Sequence, residues 1–468
     1  MIQVGNLTPC YPICVAKCDP SMSHMRVDAF AWCLQDKALQ NNSRETSASQ
    51  SANVLSHDRK YSSPGERRLA PQTTTSTDLA TRQNLTSPNL DRPALALIIT
   101  SPFAVNAFWS SHLEAMRKVY DVSVLVNIVD QQLADVVTKV PPGVTVIPLK
   151  LRREINPLDD LRALLAIRRF LIAKNVKVAI TMTPKAGLTG MLAARWAKVP
   201  VRMHWFTGQV WQNRKGWMRQ LLKTTDRITV RASTAALVDS HTQLDFLTKE
   251  NIAPRALFEV LGSGSVSGVD CSNFAPDPAT RREVRAELGI ADDEILLVFA
   301  GRVNREKGVP ELLEAFGLLK QAGHRVRLLV AGPEEGQILP RPLPDGVLSV
   351  GYTQTLHRYF KASDIFCLPS HREGFGLVLI EAGACGLPAI ASRIYGITDA
   401  MLDGVTGLLH TAEDSADIAA KAERLINDPV LRQQYGDAAR DRALNEFSSS
   451  RLTNLLMARI ASLLESSN

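Results

Sequence analysis

Short, almost purely apolar runs recur along most of the chain, separated by stretches with helical periodicity. Residues 94–100, 122–128, 144–147, 176–182 and 201–206 read as strands, with helices over 110–118, 157–173 and 186–198 between them. Runs with no polar alternation suit strands buried on both faces, as in a parallel sheet. The pattern restarts after Asp270: a strand over 294–301, a helix over 309–322, a strand over 325–331 and another over 365–369. This alternation predicts an α/β chain with two facing Rossmann-like domains, each a doubly wound parallel sheet. Domain limits of 93–268 and 269–445 follow. The last stretch is charged and helical, with amphipathic segments at 418–426 and 452–464, and residues 446–468 are expected to form a separate terminal helix.

Residues 1–92 break the pattern. From Asn41 to Arg92, 24 of 52 residues are Ser, Thr, Asn or Gln, with no periodic apolar positions. Such a segment buries too little surface to offset its ordering entropy, so a disordered tail is expected. Its Cys10, Cys14, Cys18 and Cys33 follow no zinc-ligand spacing, and no metal is expected. The start has no basic region followed by an apolar core, so it is not read as a secretory signal.

The full chain of 468 residues is 45% hydrophobic and 22% charged, with seven cysteines. That balance excludes a disulfide scaffold and wholesale disorder, and no run reaches the length of a membrane-spanning helix. Reduced, buried thiols at Cys271, Cys367 and Cys385 fit a cytoplasmic compartment. The net charge of +7 hides an asymmetry. Residues 150–231 carry 18 Lys/Arg against 4 Asp/Glu, residues 1–92 are at +2, and everything else is at −9. A concentrated basic block points to an anionic partner, and no nucleic-acid recognition motif accompanies it.

Two motifs carry candidate chemistry. Gly301-Arg302-Val-Asn-Arg-Glu-Lys307-Gly308 follows the most apolar strand and precedes a helix. Its glycines permit a tight turn, and Arg302 and Lys307 put two cations at the mouth of the sheet, suited to a diphosphate. The spacing is not that of a Walker loop. The second motif is Glu373-Gly374-Phe375-Gly376, followed by an apolar helix carrying Glu381. Glycines there allow close backbone approach, and the helix start offers free N–H groups to an anion. A carboxylate such as Glu381 among apolar neighbours needs hydrogen-bond donors, which a sugar or ribose diol supplies.

Together, G-R-x4-K-G, E-G-F-G-x4-E and the Gly-Leu-Pro ending at Pro388 resemble the C-terminal domain of retaining GT-B glycosyltransferases, most of all glycosyltransferase family 4. The likeness runs from about residue 94 to the end and includes Gly262-Ser-Gly-Ser-Val-Ser-Gly268-Val-Asp270 and Asp403-Gly-Val-Thr-Gly407. The resemblance implies catalytic roles for Arg302, Lys307 and Glu373, with Gly301, Gly374, Phe375, Gly376 and Glu381 binding the donor. It implies a UDP-linked nucleotide-sugar donor and neither metal nor cofactor. It also implies that the terminal helix crosses back to the N-terminal domain.

Two positions depart from the family pattern. The loop after the first strand reads Ser101-Pro-Phe-Ala-Val-Asn-Ala-Phe108 where many members have adjacent glycines. Thr207 stands before Gly208 where many have histidine, and His204 lies three residues upstream. His204 and Thr207 are therefore the acceptor-side candidates. The following run, with Trp211, Arg214, Lys215, Trp217 and Arg219, resembles members that extend glycans on polyprenyl-diphosphate carriers. Aromatics interleaved with cations suit an anionic membrane surface, at the inner face of the plasma membrane. A non-catalytic nucleotide-sugar-binding scaffold and a GT-B sugar-nucleotide 2-epimerase are the other readings weighed.

Overall fold

The computed structural model describes residues 92–128, 140–151 and 156–467. The expectations for the polar tail and its four cysteines fall on residues outside these.

The first sheet has seven strands: β1 (Ala94–Ile99), β2 (Asp121–Val126), β3 (Thr145–Pro148), β4 (Val178–Met182), β5 (Val201–Phe206), β6 (Ala235–Val238) and β7 (Phe258–Val260). Its spatial order is β3-β2-β1-β4-β5-β6-β7. The second has six: β8 (Ile295–Ala300), β9 (Val326–Ala331), β10 (Val347–Gly351), β11 (Ile365–Leu368), β12 (Ala389–Ser392) and β13 (Gly407–His410), in the order β10-β9-β8-β11-β12-β13. The pairings that build both sheets are parallel. Leu95 to Ile99 and Leu296 to Val298 are buried, because helices cover both faces of each sheet. These are two Rossmann-like domains, each built on one parallel sheet. The strand order reverses between β1 and β4, and again between β8 and β11. Ligands in such sheets bind outside the carboxyl ends of the strands at these switch points.

The sequence reading did not give β6, β7, β10, β12 or β13, and other details differ too. Residues 102–108, read as a loop, form a helix (Pro102–Phe108) with proline in its first turn, whose Ala104 and Val105 are buried. The second strand stops at Val126 instead of continuing to Ile128.

The helix Ser449–Glu465 packs against the helix Ser110–Val119 of the first domain. Leu456 and Ile460 join the core of the first sheet. The Thr453 hydroxyl meets His112 Nδ1 at 2.9 Å, while His112 Nε2–H donates to the Val266 carbonyl at 2.8 Å. Burial depresses the His112 pKa to about 4, which keeps the ring neutral in this arrangement. Gly268 is required where the chain passes: a Cβ there would lie 2.5 Å from the Phe447 carbonyl oxygen.

Candidate active site

At the carboxyl end of β8 the chain turns through Gly301 into a short 3-10 turn, Arg305–Lys307. Asn304 caps that turn, its Oδ1 accepting from the Lys307 amide at 3.0 Å. Gly308 follows with φ 69°, pressed so closely on β11's continuation that a Cβ would sit 1.9 Å from the Pro369 carbonyl oxygen. The two loops are thereby fixed to one another. Lys307 Nζ pairs with Glu373, and Ser370 Oγ donates to the same carboxylate oxygen at 3.0 Å. Beside them Arg372 grips Glu306 at 3.0–3.1 Å, and its guanidinium holds the Glu306 carboxyl below the usual range. Arg302 is looser: its side chain is 48% exposed and pairs with Glu335 at 3.1 Å.

Gly376, at φ 84°, starts the helix Leu377–Ala384 with no side-chain cap. The Leu379 amide bonds the Gly376 carbonyl at 2.8 Å, while the amides ahead of it, with no side-chain cap, can meet an anion. Glu381 lies one turn in and receives no hydrogen bond from the described residues; burial pushes its carboxyl up to about 7. A group so placed is stabilised by any pair of hydroxyl donors. Phe375 departs from expectation. It is 4% exposed and packs on the Phe447 ring at 5.3 Å, so its side chain belongs to the core and not to a substrate contact.

The first domain meets this loop at the carboxyl ends of β5 and β6. Gly374 lies against the Thr207 carbonyl: a Cβ on Gly374 would fall 2.8 Å from it, and one on Gly208 would fall 3.3 Å from Gly374 Cα. Thr207 is therefore at the cleft. His204 is not poised for proton transfer. Its ring is buried, bonded to Thr181 Oγ1 at 2.7 Å and packed edge-on to Phe206, and burial lowers its pKa to about 3. It does border a shallow recess with Thr183, Phe206, Thr207 and Gln209.

The domains are clasped beside the cleft. The Asp399 carboxylate accepts from the His241 and Thr242 amides and the Thr242 hydroxyl, sitting on the N-terminus of the helix His241–Lys249. Tyr395 donates to Gln212 Oε1 at 2.6 Å, and the Phe246 ring stacks between Tyr395 and Trp211.

That stack corrects the reading of Trp211 as a membrane contact. Trp211 is fully buried, and its indole N–H donates to Asp226 Oδ2 at 2.7 Å. Arg219 is also engaged, bonding Glu250 at 2.6 Å with Lys223 beside it at 2.9 Å. Arg214, Lys215 and Trp217 are exposed, Trp217 at 72%.

Sequence reasoning missed Asp226, Asp239, Asp399 and Tyr395. A single carboxylate at a strand end or in a helix has no spacing that distinguishes it, and only the fold shows what surrounds it. Asp226 yields a clear expectation. Burial raises its pKa from 3.8 to about 7, so between those values the unfolded chain releases a proton that the folded chain keeps. Stability from this group therefore falls as pH rises from about 4 to 7. Asp226→Asn keeps an acceptor for Trp211 and removes that cost. Its unfolding free energy relative to wild type, measured by denaturant titration, should rise from pH 5 to pH 7 by up to about 1.4 kcal/mol per pH unit and then level off.

The family described as glycosyl transferases group 1 matches residues 280–442, and the glycosyl transferase 4-like domain matches residues 107–264. The chain belongs to the family 4 glycosyltransferases. The capsular polysaccharide biosynthesis glycosyltransferase CapM of Staphylococcus aureus is 30% identical over 311 residues, which is 65% of this chain and 81% of CapM. The D-inositol 3-phosphate glycosyltransferase of Saccharomonospora viridis is 37% identical over 207 residues, covering 41% of this chain and 47% of that enzyme. Among solved structures, Anabaena HepE in complex with UDP matches with a TM-score of 0.67 at 18% identity, over 79% of this chain and all of HepE. Sucrose-phosphate synthase from Thermosynechococcus elongatus also gives 0.67, at 20% identity, over 81% of this chain and all of that one. At these identities the structures share the fold. Among the described residues no group of His, Cys, Asp and Glu is placed to hold a metal, and no helix is long and apolar enough to cross a membrane.

Proposed function

We propose that this glycosyltransferase moves a sugar, with retained anomeric configuration, from a UDP-linked donor to a hydroxyl of a polyprenyl-diphosphate-linked glycan. The observation that carries this reading is the meeting of Lys307 and Glu373 beside the uncapped start of the helix Leu377–Ala384, at the β8/β11 switch point. Arg302, Lys307 and the helix amides neutralise the diphosphate as it leaves, and preorganised charge of this kind is commonly the largest catalytic contribution. Glu381 takes the ribose hydroxyls, and Glu373 with the backbone of Gly374 and Gly376 faces the sugar. Thr207 lies where the acceptor approaches. The names of the relatives support the substrate classes: CapM serves capsular polysaccharide synthesis, and HepE was solved with UDP and with UDP-glucose.

The test is transfer from labelled nucleotide sugars into a bacterial lipid extract, with the product's anomeric configuration read by NMR. A labelled lipid with the donor's configuration supports the reading. Free sugar only, or an inverted product, overturns it.

The acceptor implies work at an anionic membrane surface on the cytoplasmic side. Arg214, Lys215 and Trp217 form the exposed remainder of the basic aromatic run, with Leu221 one turn beyond Trp217 and 43% exposed. Each cation near an anionic leaflet contributes roughly 1 kcal/mol. Replacing Arg214 and Lys215 together by alanine should weaken binding to phosphatidylglycerol vesicles about tenfold or more, measured by flotation, while transfer to a short-chain soluble acceptor is retained.

A further inference from the structure

Asp239 follows β6 directly and is 3% exposed at the cleft. Its surroundings hold it in one pose. The Trp205 indole donates to Oδ1 at 2.8 Å, the Asp239 amide donates to Gln243 Oε1 at 2.7 Å, and the Ser265 amide donates to its carbonyl at 2.7 Å. Gly264 packs on that carbonyl, where a Cβ would come within 2.3 Å. Trp205 is itself buried, edge-on to Trp109. The remaining oxygen, Oδ2, receives no hydrogen bond from any described residue. It faces the second domain at Gly374, where a Cβ would lie 3.3 Å from it.

With the residue only 3% exposed, a carboxylate oxygen that no donor among the described residues reaches is poorly solvated, and a ligand hydroxyl can supply the missing hydrogen bond. Here the backbone around Asp239 is fully engaged while one oxygen is kept open toward the 373–376 loop. That loop also carries the Lys307 pair and leads to the free helix amides. We infer that Asp239 binds the transferred sugar from the first domain, its Oδ2 accepting a hydrogen bond from a sugar hydroxyl seated over Gly374. This rests on the donor reading above. It adds that the first domain, and not only the nucleotide-binding one, selects the sugar. A carboxylate acceptor rejects a sugar lacking that hydroxyl because its oxygen is then left unpaired.

The experiment is calorimetric binding of UDP-glucose, UDP-galactose, UDP-N-acetylglucosamine and GDP-mannose, each compared with its nucleoside diphosphate alone. It is run at pH 8, where a carboxyl raised to about 7 is ionised. Asp239→Asn retains an acceptor for Trp205, and Asp239→Ala is the second variant. Both should bind the preferred nucleotide sugar about tenfold more weakly or worse, with the diphosphate bound as in wild type. One monodeoxy analogue of the sugar should lose the same factor on wild type and lose nothing more on Asp239→Asn. Equal loss for sugar nucleotide and diphosphate would make Asp239 a merely structural group, and unchanged sugar-nucleotide binding by Asp239→Asn would also overturn the inference. If folded wild-type protein binds the diphosphates but none of the sugar nucleotides more tightly, the sugar contact fails while the nucleotide site stands. If it binds neither, the donor reading fails with it.

Discussion

Lys307→Ala is expected to lower kcat/KM by about 10²–10³-fold, the scale seen when one preorganised charge is removed from a site of charge development. Lys307 and Glu373 are each about 15% exposed, so their attraction is poorly screened by solvent. Removing the ammonium leaves Glu373 with only the Ser370 hydroxyl, an unbalanced carboxylate beside the donor position proposed above. Binding and turnover should both suffer. Lys307→Arg is a poor substitute, because the space is bounded by the fixed contact of Gly308 on Pro369. Arg302→Ala should cost less, about tenfold, since that side chain is half exposed and already shared with Glu335. Steady-state kinetics of the two variants, with melting curves to show that both fold, check this order. Equal losses would mean that Arg302 leaves Glu335 for the diphosphate when donor binds.

The second large effect concerns stability. Deleting residues 448–468 should leave the first domain unable to hold its fold. Leu452, Leu456 and Ile460 are fully buried, and each large apolar side chain lost from a core costs about 2–5 kcal/mol. Thr453 would be lost from His112, leaving a buried ring nitrogen unsatisfied. The total rivals the 5–15 kcal/mol that holds a typical domain together. The truncated chain should be insoluble or bind a hydrophobic dye, with loss of near-UV circular dichroism. A soluble monomer melting cooperatively near the wild-type temperature would count against the packing described here. The milder Leu456→Ala should shift the urea midpoint downward while the protein remains folded.

How much of this was legible beforehand differs from residue to residue. The strands were readable because a parallel strand buried on both faces has an uninterrupted apolar run, as in 295–300. The loops after β8 and β11 were readable because their glycines and charges are local in sequence. Trp211 and Trp217 were not separable. Both lie in one basic aromatic run, and the choice of which faces inward is made by Phe246 and by Tyr395, the latter 184 residues beyond Trp211. The helix Pro102–Phe108 was hidden because its one clear signal, Pro102, also marks a turn. Asp239 was invisible for a different reason. Its significance is an oxygen left without a partner, and an absent bond leaves no mark on a sequence.

The return of the helix Ser449–Glu465 to the first domain also sets an order of events during synthesis. β7, the last strand of the first sheet, ends at Val260, and about 200 further residues are made before that helix is complete. At roughly 5–20 residues per second, that is an interval of about 10–40 s. Throughout it the part of the first-sheet core that Leu456 and Ile460 complete is left open. A nascent chain in this state presents an apolar surface to every other chain nearby. Overproduction of the protein should therefore respond more to added chaperone than to changes in the finished enzyme's surface.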